Sequence, residues 1–245
     1  MRKRLFLASL LVLAGCHTQP SKTAPSQLIL WAWERPEDLR FAGTTEIALQ
    51  TGFIELTGDT LKARGRYFPL KSNQAPATIV VHVQIDHAKP LRWSPQLRAQ
   101  LAAAVLHYAT LTKAPRVQLD FEVRKSAREL LLDALTDLRR GLPNNTRLSM
   151  TALASWCMFD NWIEQAPVDE IVPMLFRMKR DGPAIEKSLA DGGDFRNPRC
   201  RDALAISSDS LIARGPPGRR VYLFNPRSWT PEAFNQAQRA AEAWR

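Results

Sequence analysis

Two acidic residues, Asp120 and Glu122, carry the strongest chemical signal in the chain. They lie in Arg116–Val123, RVQLDFEV, where Val117, Leu119, Phe121 and Val123 alternate with Gln118, Asp120 and Glu122. Period-two alternation predicts a strand. On a strand, residues i and i+2 share a face, with Cα atoms about 6.5–7 Å apart. A carboxylate in a core is costly unless it is paired, so this face meets water or a group that needs Asp and Glu side by side. The chemistry available to such a pair is proton transfer. Glu122 is the candidate general acid, and Asp120 would hold its proton or raise its pKa by like-charge repulsion. The competing reading is structural, with both carboxylates paired to Arg35 or Arg177.

Further candidates stand at the C-terminal ends of other predicted strands. Trp33 and Glu34 close LILWAWE, and Asp86 ends ATIVVHVQID, whose His82, Gln84 and Asp86 share one face. Trp156 ends RLSMTALASW, Arg177 follows IVPMLF, and Asn225 follows RVYLF. Acidic groups ringed by tryptophans suit a carbohydrate: aromatic faces stack on sugar rings, and a carboxyl pair acts on the glycosidic bond. The candidate substrate-binding set is therefore Trp33, Glu34, Asp86, Gln118, Trp156, Arg177 and Asn225, with Glu34 or Asp86 as a second carboxylate. A salt bridge from Glu34 to Arg35 and a turn at Asp86 are the structural alternatives. Asp169 and Glu170 begin a strand, which assigns them to the opposite end. With four histidines and no H-x-x-x-H or C-x-x-C pair, no metal site is expected. Nor is there a G-x-S-x-G, a G-x-G-x-x-G after the first strand, or a P-loop, so no cofactor is expected.

The elements that must position these residues alternate strand and helix. Strands are predicted near residues 28, 46, 78, 117, 148, 170, 203 and 220. Ser94-Pro95 starts a helix to about Leu111, Ser126 and Glu129 form a capping box for one ending near Arg140, and Thr230-Pro231 starts the last. The second unit has no helical pattern; Gly52, Gly58 and Gly65 punctuate a hairpin-like segment there. Eight βα-type units in this length predict one (β/α)8 TIM-like barrel over 27–245, with an irregular second unit and the active site at the C-terminal strand ends. An open doubly wound α/β sheet is the alternative.

Gln118-Leu119-Asp120-Phe121-Glu122 resembles the end of the fourth-strand signature of chitinase-like, family eighteen glycoside hydrolases, D-x-x-D-x-D-x-E. That resemblance implies Glu122 as proton donor and Asp120 as the residue that positions a substrate acetamide. Gln118 replaces the next acid inward, and Pro115 stands where the first would be. Met174-Leu175-Phe176-Arg177 stands where that family often has M-x-Y-D, so the groups that assist the acetamide oxygen are replaced. The chain is also similar to a family of uncharacterised, often lipidated bacterial proteins. The shared stretches here are Trp31–Leu39, Gln118–Glu122, Thr151–Trp156 and Val168–Phe176. That likeness implies a hydrolase-like barrel without supplying an activity.

The first residues read as an address. Arg2, Lys3 and Arg4 precede the apolar run Leu5–Leu13, too short to span a bilayer. Leu13-Ala14-Gly15-Cys16 resembles a lipobox. Residues 1–15 are thus the expected lipoprotein signal peptide, Cys16 the lipidated residue, and 16–26 a tether. The expected setting is the bacterial envelope, the outer membrane in a Gram-negative cell, with the membrane met only through lipid. There Cys157 and Cys200 form a disulfide or stay as two free thiols. The formal net charge is +10. It would attract anionic lipid or an acidic glycan, or simply make a solvated surface. The basic residues lack the aromatic interleaving of a nucleic-acid platform, so no nucleic-acid partner is expected. The sequence thus predicts a lipid-anchored barrel that binds or cleaves an envelope glycan, or a non-catalytic scaffold that kept a hydrolase fold.

Overall fold

The computed structural model describes residues 27–244. The expected signal peptide, Cys16 and the expected tether lie outside these. The described residues form a closed, all-parallel eight-stranded barrel with helices between strands. Its strands are β1 (Gln27–Ala32), β2 (Glu46–Thr57), β3 (Thr78–Ile85), β4 (Arg116–Phe121), β5 (Arg147–Leu153), β6 (Glu170–Met174), β7 (Ala203–Ser207) and β8 (Arg220–Phe224). Each pairs in parallel with the next, and β8 pairs with β1 to close the ring. The eight sequence positions are therefore all strands, and the open-sheet alternative falls.

Alternation sorts side chains into two layers. Leu30, Ile79, Val81, Val117, Leu119, Leu148, Met150, Leu204 and Leu223 face outward and are buried under the helices. Those helices are α1 (Pro95–Thr112), α2 (Arg128–Gly141), α3 (Ala154–Phe159), α4 (Gly182–Ala190) and α5 (Pro231–Glu242). Ser94 and Thr230 cap α1 and α5 through their hydroxyls, as their spacing predicts. The capping box at Ser126 does not form. Residues 125–127 make a 3-10 turn first, and α2 starts at Arg128 with no side-chain cap.

The second unit departs from βα order in the expected place. After Thr51 the β2–β3 register shifts by one residue, a bulge that returns Phe53 to the inner face beside His82. The strand then turns back through residues 60–65 as an antiparallel hairpin in place of a helix. Gly52 is obligatory here: a Cβ would sit 2.5 Å from the Tyr108 ring of α1.

Inside the barrel the bottom is plugged by charge. Glu46, Arg116, Glu170 and Arg220 form a closed ring of alternating sign, with contacts of 3.9, 3.8, 2.8 and 3.4 Å around it. Tyr222 and Ser149 each donate to Glu170, at 2.8 and 2.9 Å. Buried charges persist when paired and hydrogen-bonded, and this ring closes the N-terminal end. Glu170 and Asp169, which pairs with Arg139, are structural as expected. Above the ring Ile29, Trp31, Ala48, Val80, Val172, Ala205 and Tyr222 fill the interior. What remains open to chemistry is the C-terminal mouth.

Candidate functional site

The floor of the mouth is made where β3, β4 and β5 bring inward residues level. His82 and Asp120 are register partners. The Asp120 Oδ2 lies 2.5 Å from the His82 Nδ1, and its Oδ1 accepts from the Thr151 hydroxyl at 2.7 Å. Asp120 is 7% exposed, while His82 is half-buried. A carboxylate on Nδ1–H fixes the tautomer that leaves a lone pair on Nε2. Nε2 has no protein partner among the described residues, so it is left to meet water or a ligand.

Aromatic rings surround this floor. Phe53 stacks on the His82 imidazole with centroids 5.3 Å apart. Trp33 presents an edge to His82 and to Phe224, both at 5.8 Å. Phe176 stacks on Phe224 at 5.2 Å. The Trp33 indole N–H is buried without an acceptor among the described residues. Beyond the rings stand guanidiniums: Arg64 over Phe53 and Tyr67, Arg177 over Phe224.

The sequence candidates divide sharply. Asp120, Trp33 and Arg177 are at the mouth. Glu122 lies just past the end of β4 and is exposed. The alternative pairing of Asp120 with Arg35 or Arg177 is not made; His82 takes its place. Glu34 does not pair with Arg35. It binds Arg64 at 2.8 Å and accepts from the Tyr67 N–H, tying the hairpin to β1. Burial pushes its carboxyl up, but those bonds outweigh it and the net shift is downward. Asp86 caps a turn through the Ala88 N–H. No second free carboxylate is therefore delivered to the floor.

Three candidates are removed from ligand contact. Gln118 is fully buried one layer below, accepting from the Trp31 indole at 2.7 Å and donating to Ser149 at 3.1 Å. Trp156 is not on a strand. β5 ends at Leu153 and Trp156 lies on α3, packed against Trp162 in the outer core. Asn225 is buried and holds a loop, accepting from Ser208 and donating to the Ser228 carbonyl. Cys157 and Cys200 are joined as a disulfide.

Neither a scan against protein-family models nor a search of curated proteins returns a match for this chain. The chemistry must therefore be read from the geometry of the site.

Sequence reasoning missed His82, Thr151, Phe53 and Glu37. The first had a usable signal: it shares the inward face of β3 and comes level with Asp120 once β3 and β4 are neighbours. Glu37 had none. It is 2% exposed, accepts from the Trp229 N–H at 2.8 Å, and lies 3.8 Å from Arg35. Burial pushes its carboxyl up to about 7, against the Trp229 N–H and the charges of Arg35 and Arg66. Among the described residues no group of three or more His, Cys, Asp or Glu side chains is arranged to hold a metal.

Proposed function

We propose that the barrel mouth binds a glycan of the bacterial envelope. One observation carries this reading: four aromatic rings, Trp33, Phe53, Phe176 and Phe224, surround a hydrogen-bonded polar floor, His82–Asp120–Thr151. Sugars need both parts. Their C–H faces lie on aromatic rings, and their hydroxyls need donors and acceptors at the edge. The unsatisfied Trp33 indole N–H supports the same reading, because a buried donor without an acceptor is costly and a ligand oxygen would relieve it.

Cleavage of the bound glycan is the second reading, resting on Glu122, exposed just past the end of β4, and on His82 at the floor. Both oxygens of Asp120 are occupied, so it is poorly placed to be a nucleophile. A hydrolysis consistent with this floor uses Glu122 to protonate the leaving oxygen and His82 Nε2 to take a proton from water, with Asp120 steadying the imidazolium. This departs from the substrate-assisted scheme that the chitinase-like resemblance implies, since Phe176 and Arg177 replace its assisting groups.

The test is binding of the full-length protein to a panel of oligosaccharides, followed by a search for reducing ends. Trp33→Ala should weaken binding at least tenfold, ~1.4 kcal/mol, as a central aromatic contact does. Unchanged affinity in that variant would move the site away from the mouth. If the protein also cleaves, Glu122→Gln and His82→Gln should each lose turnover while retaining affinity. Binding without cleavage in the unmodified chain leaves the first reading and removes the second.

A further inference from the structure

We infer that the glycan bound at the mouth is acidic, and that Arg177, with Arg35 beside it, receives its carboxylate or phosphate. This rests on the mouth being the glycan site. Arg177 occupies the loop after β6 with its guanidinium 5.5 Å from the centre of the Phe224 ring, the same ring that Trp33 and Phe176 pack against. It is exposed, and among the described residues no carboxylate pairs with it. Its backbone is left-handed, φ 54°, a conformation uncommon for a residue with a Cβ. Such strain is found where a side chain must be aimed.

Arg35 lies on the loop that carries Trp33. Its counter-ion is partial: Glu37 is 3.8 Å away, and burial pushes that carboxyl up to about 7, so it is only part-ionised at neutral pH. Burial lowers the pKa of Arg35 most, Glu37 raises it, and Arg177 lowers it by less than Glu37 raises it, so Arg35 and Arg177 repel each other while Glu37 partly shields them. An anion between them would relieve that repulsion and accept charge-assisted hydrogen bonds from both. Arg64 and Arg66 do not compete for this role. Arg64 is spent on Glu34, and Arg66 on the carbonyls of Trp33, Arg35 and Phe68. A neutral sugar would leave the Arg35–Arg177 repulsion in place.

The experiment is an array of neutral, uronic, sialylated and phosphorylated oligosaccharides, read with the full-length protein and with Arg177→Gln. The expected result is binding concentrated on acidic glycans. It should weaken as salt is raised and fall ~10- to 100-fold in Arg177→Gln. Carboxylated and phosphorylated members distinguish the two sources of charge. Equal binding of neutral glycans, unaffected by Arg177→Gln, would overturn the acidic ligand while leaving the glycan site standing. Failure to bind any member would overturn both. Trp33→Ala provides the separation: it should lower affinity for every bound glycan, whereas Arg177→Gln should act on the charged ones alone. Circular dichroism and thermal melts check that both variants fold.

Discussion

Glu37 sits between the Trp229 N–H and the Arg35 and Arg66 guanidiniums, with its carboxyl pushed up to about 7 because burial outweighs those contacts. The consequence for stability has a definite sign. Below about pH 4.5 the group is protonated in both folded and unfolded chains. Between there and about 7 the unfolded chain releases the proton while the fold retains it, so stability falls as pH rises through that window, by on the order of 3 kcal/mol. Glu37→Gln keeps an acceptor for Trp229 and removes the titration. Urea denaturation of both proteins from pH 4 to 8 should show the unmodified chain losing stability relative to the variant; a constant difference would mean that Glu37 ionises as freely in the fold as outside it. Glu170 calls for the opposite treatment. It accepts from Ser149 and Tyr222 and forms an ion pair with Arg220 at the bottom of the barrel. Glu170→Gln leaves Arg116 and Arg220 short of a counter-charge in a dry interior, a loss of about 3–5 kcal/mol. Denaturation at neutral pH would measure it, and a cost under about 1 kcal/mol would mean that water enters the ring.

The elements were more legible than the residues they present. Each of the eight strands carries either an apolar run or a period-two pattern, and short connections leave few alternatives to a closed parallel ring. The missing second helix was legible too, because glycines at 52, 58 and 65 interrupt any helical period. Strand ends were less so. The apolar stretch through Trp156 continues without a break, yet β5 stops at Leu153 and α3 begins at once. That shift of a few residues takes Trp156 from the mouth to the outer layer. Gln118 was placed on the correct face, but only the neighbouring strands show that Trp31 and Ser149 consume its amide. Likewise the His82–Asp120 pair requires the β3–β4 register, which no local pattern encodes. At this scale the disulfide makes its own prediction. It ties α3 to the 3-10 turn at Pro198–Cys200, and its half-cystines are 43 residues apart. Closing a loop of that size contributes about 4 kcal/mol in the chain-entropy account. Cys157→Ser with Cys200→Ser should then lower the melting temperature by roughly 10 °C, and an unchanged melt would show that the surrounding core already fixes these segments.

The two ends of the barrel differ in character. Gln27, the first described residue, opens β1 at the N-terminal end beside Glu46 and Arg220. The proposed anchor at Cys16 would thus join the described fold at its charged, plugged end, and the aromatic mouth lies at the opposite end of the strands. A lipid-held barrel arranged this way offers its mouth to a polymer in the surrounding envelope rather than to the bilayer that holds it. The described residues contain no helix long and apolar enough to cross a membrane, so the proposed attachment rests on the lipid of Cys16. A single myristoyl-sized chain gives marginal, reversible binding, and stable anchoring takes two signals, such as a second acyl chain. Cys16→Ser removes the modification site without touching the barrel. Expressed in a bacterial host and fractionated, the unmodified protein should partition with membranes and need detergent for release, while the Cys16→Ser protein should appear in the aqueous fraction. Glycan binding by that released variant should match the detergent-solubilised parent, because the mouth lies at the opposite end of the strands from Gln27. Membrane retention of Cys16→Ser would show that a surface of the barrel itself, with its basic excess, holds the bilayer. The +10 charge would then act on anionic lipid, and retention would fall when the ionic strength of the wash is raised.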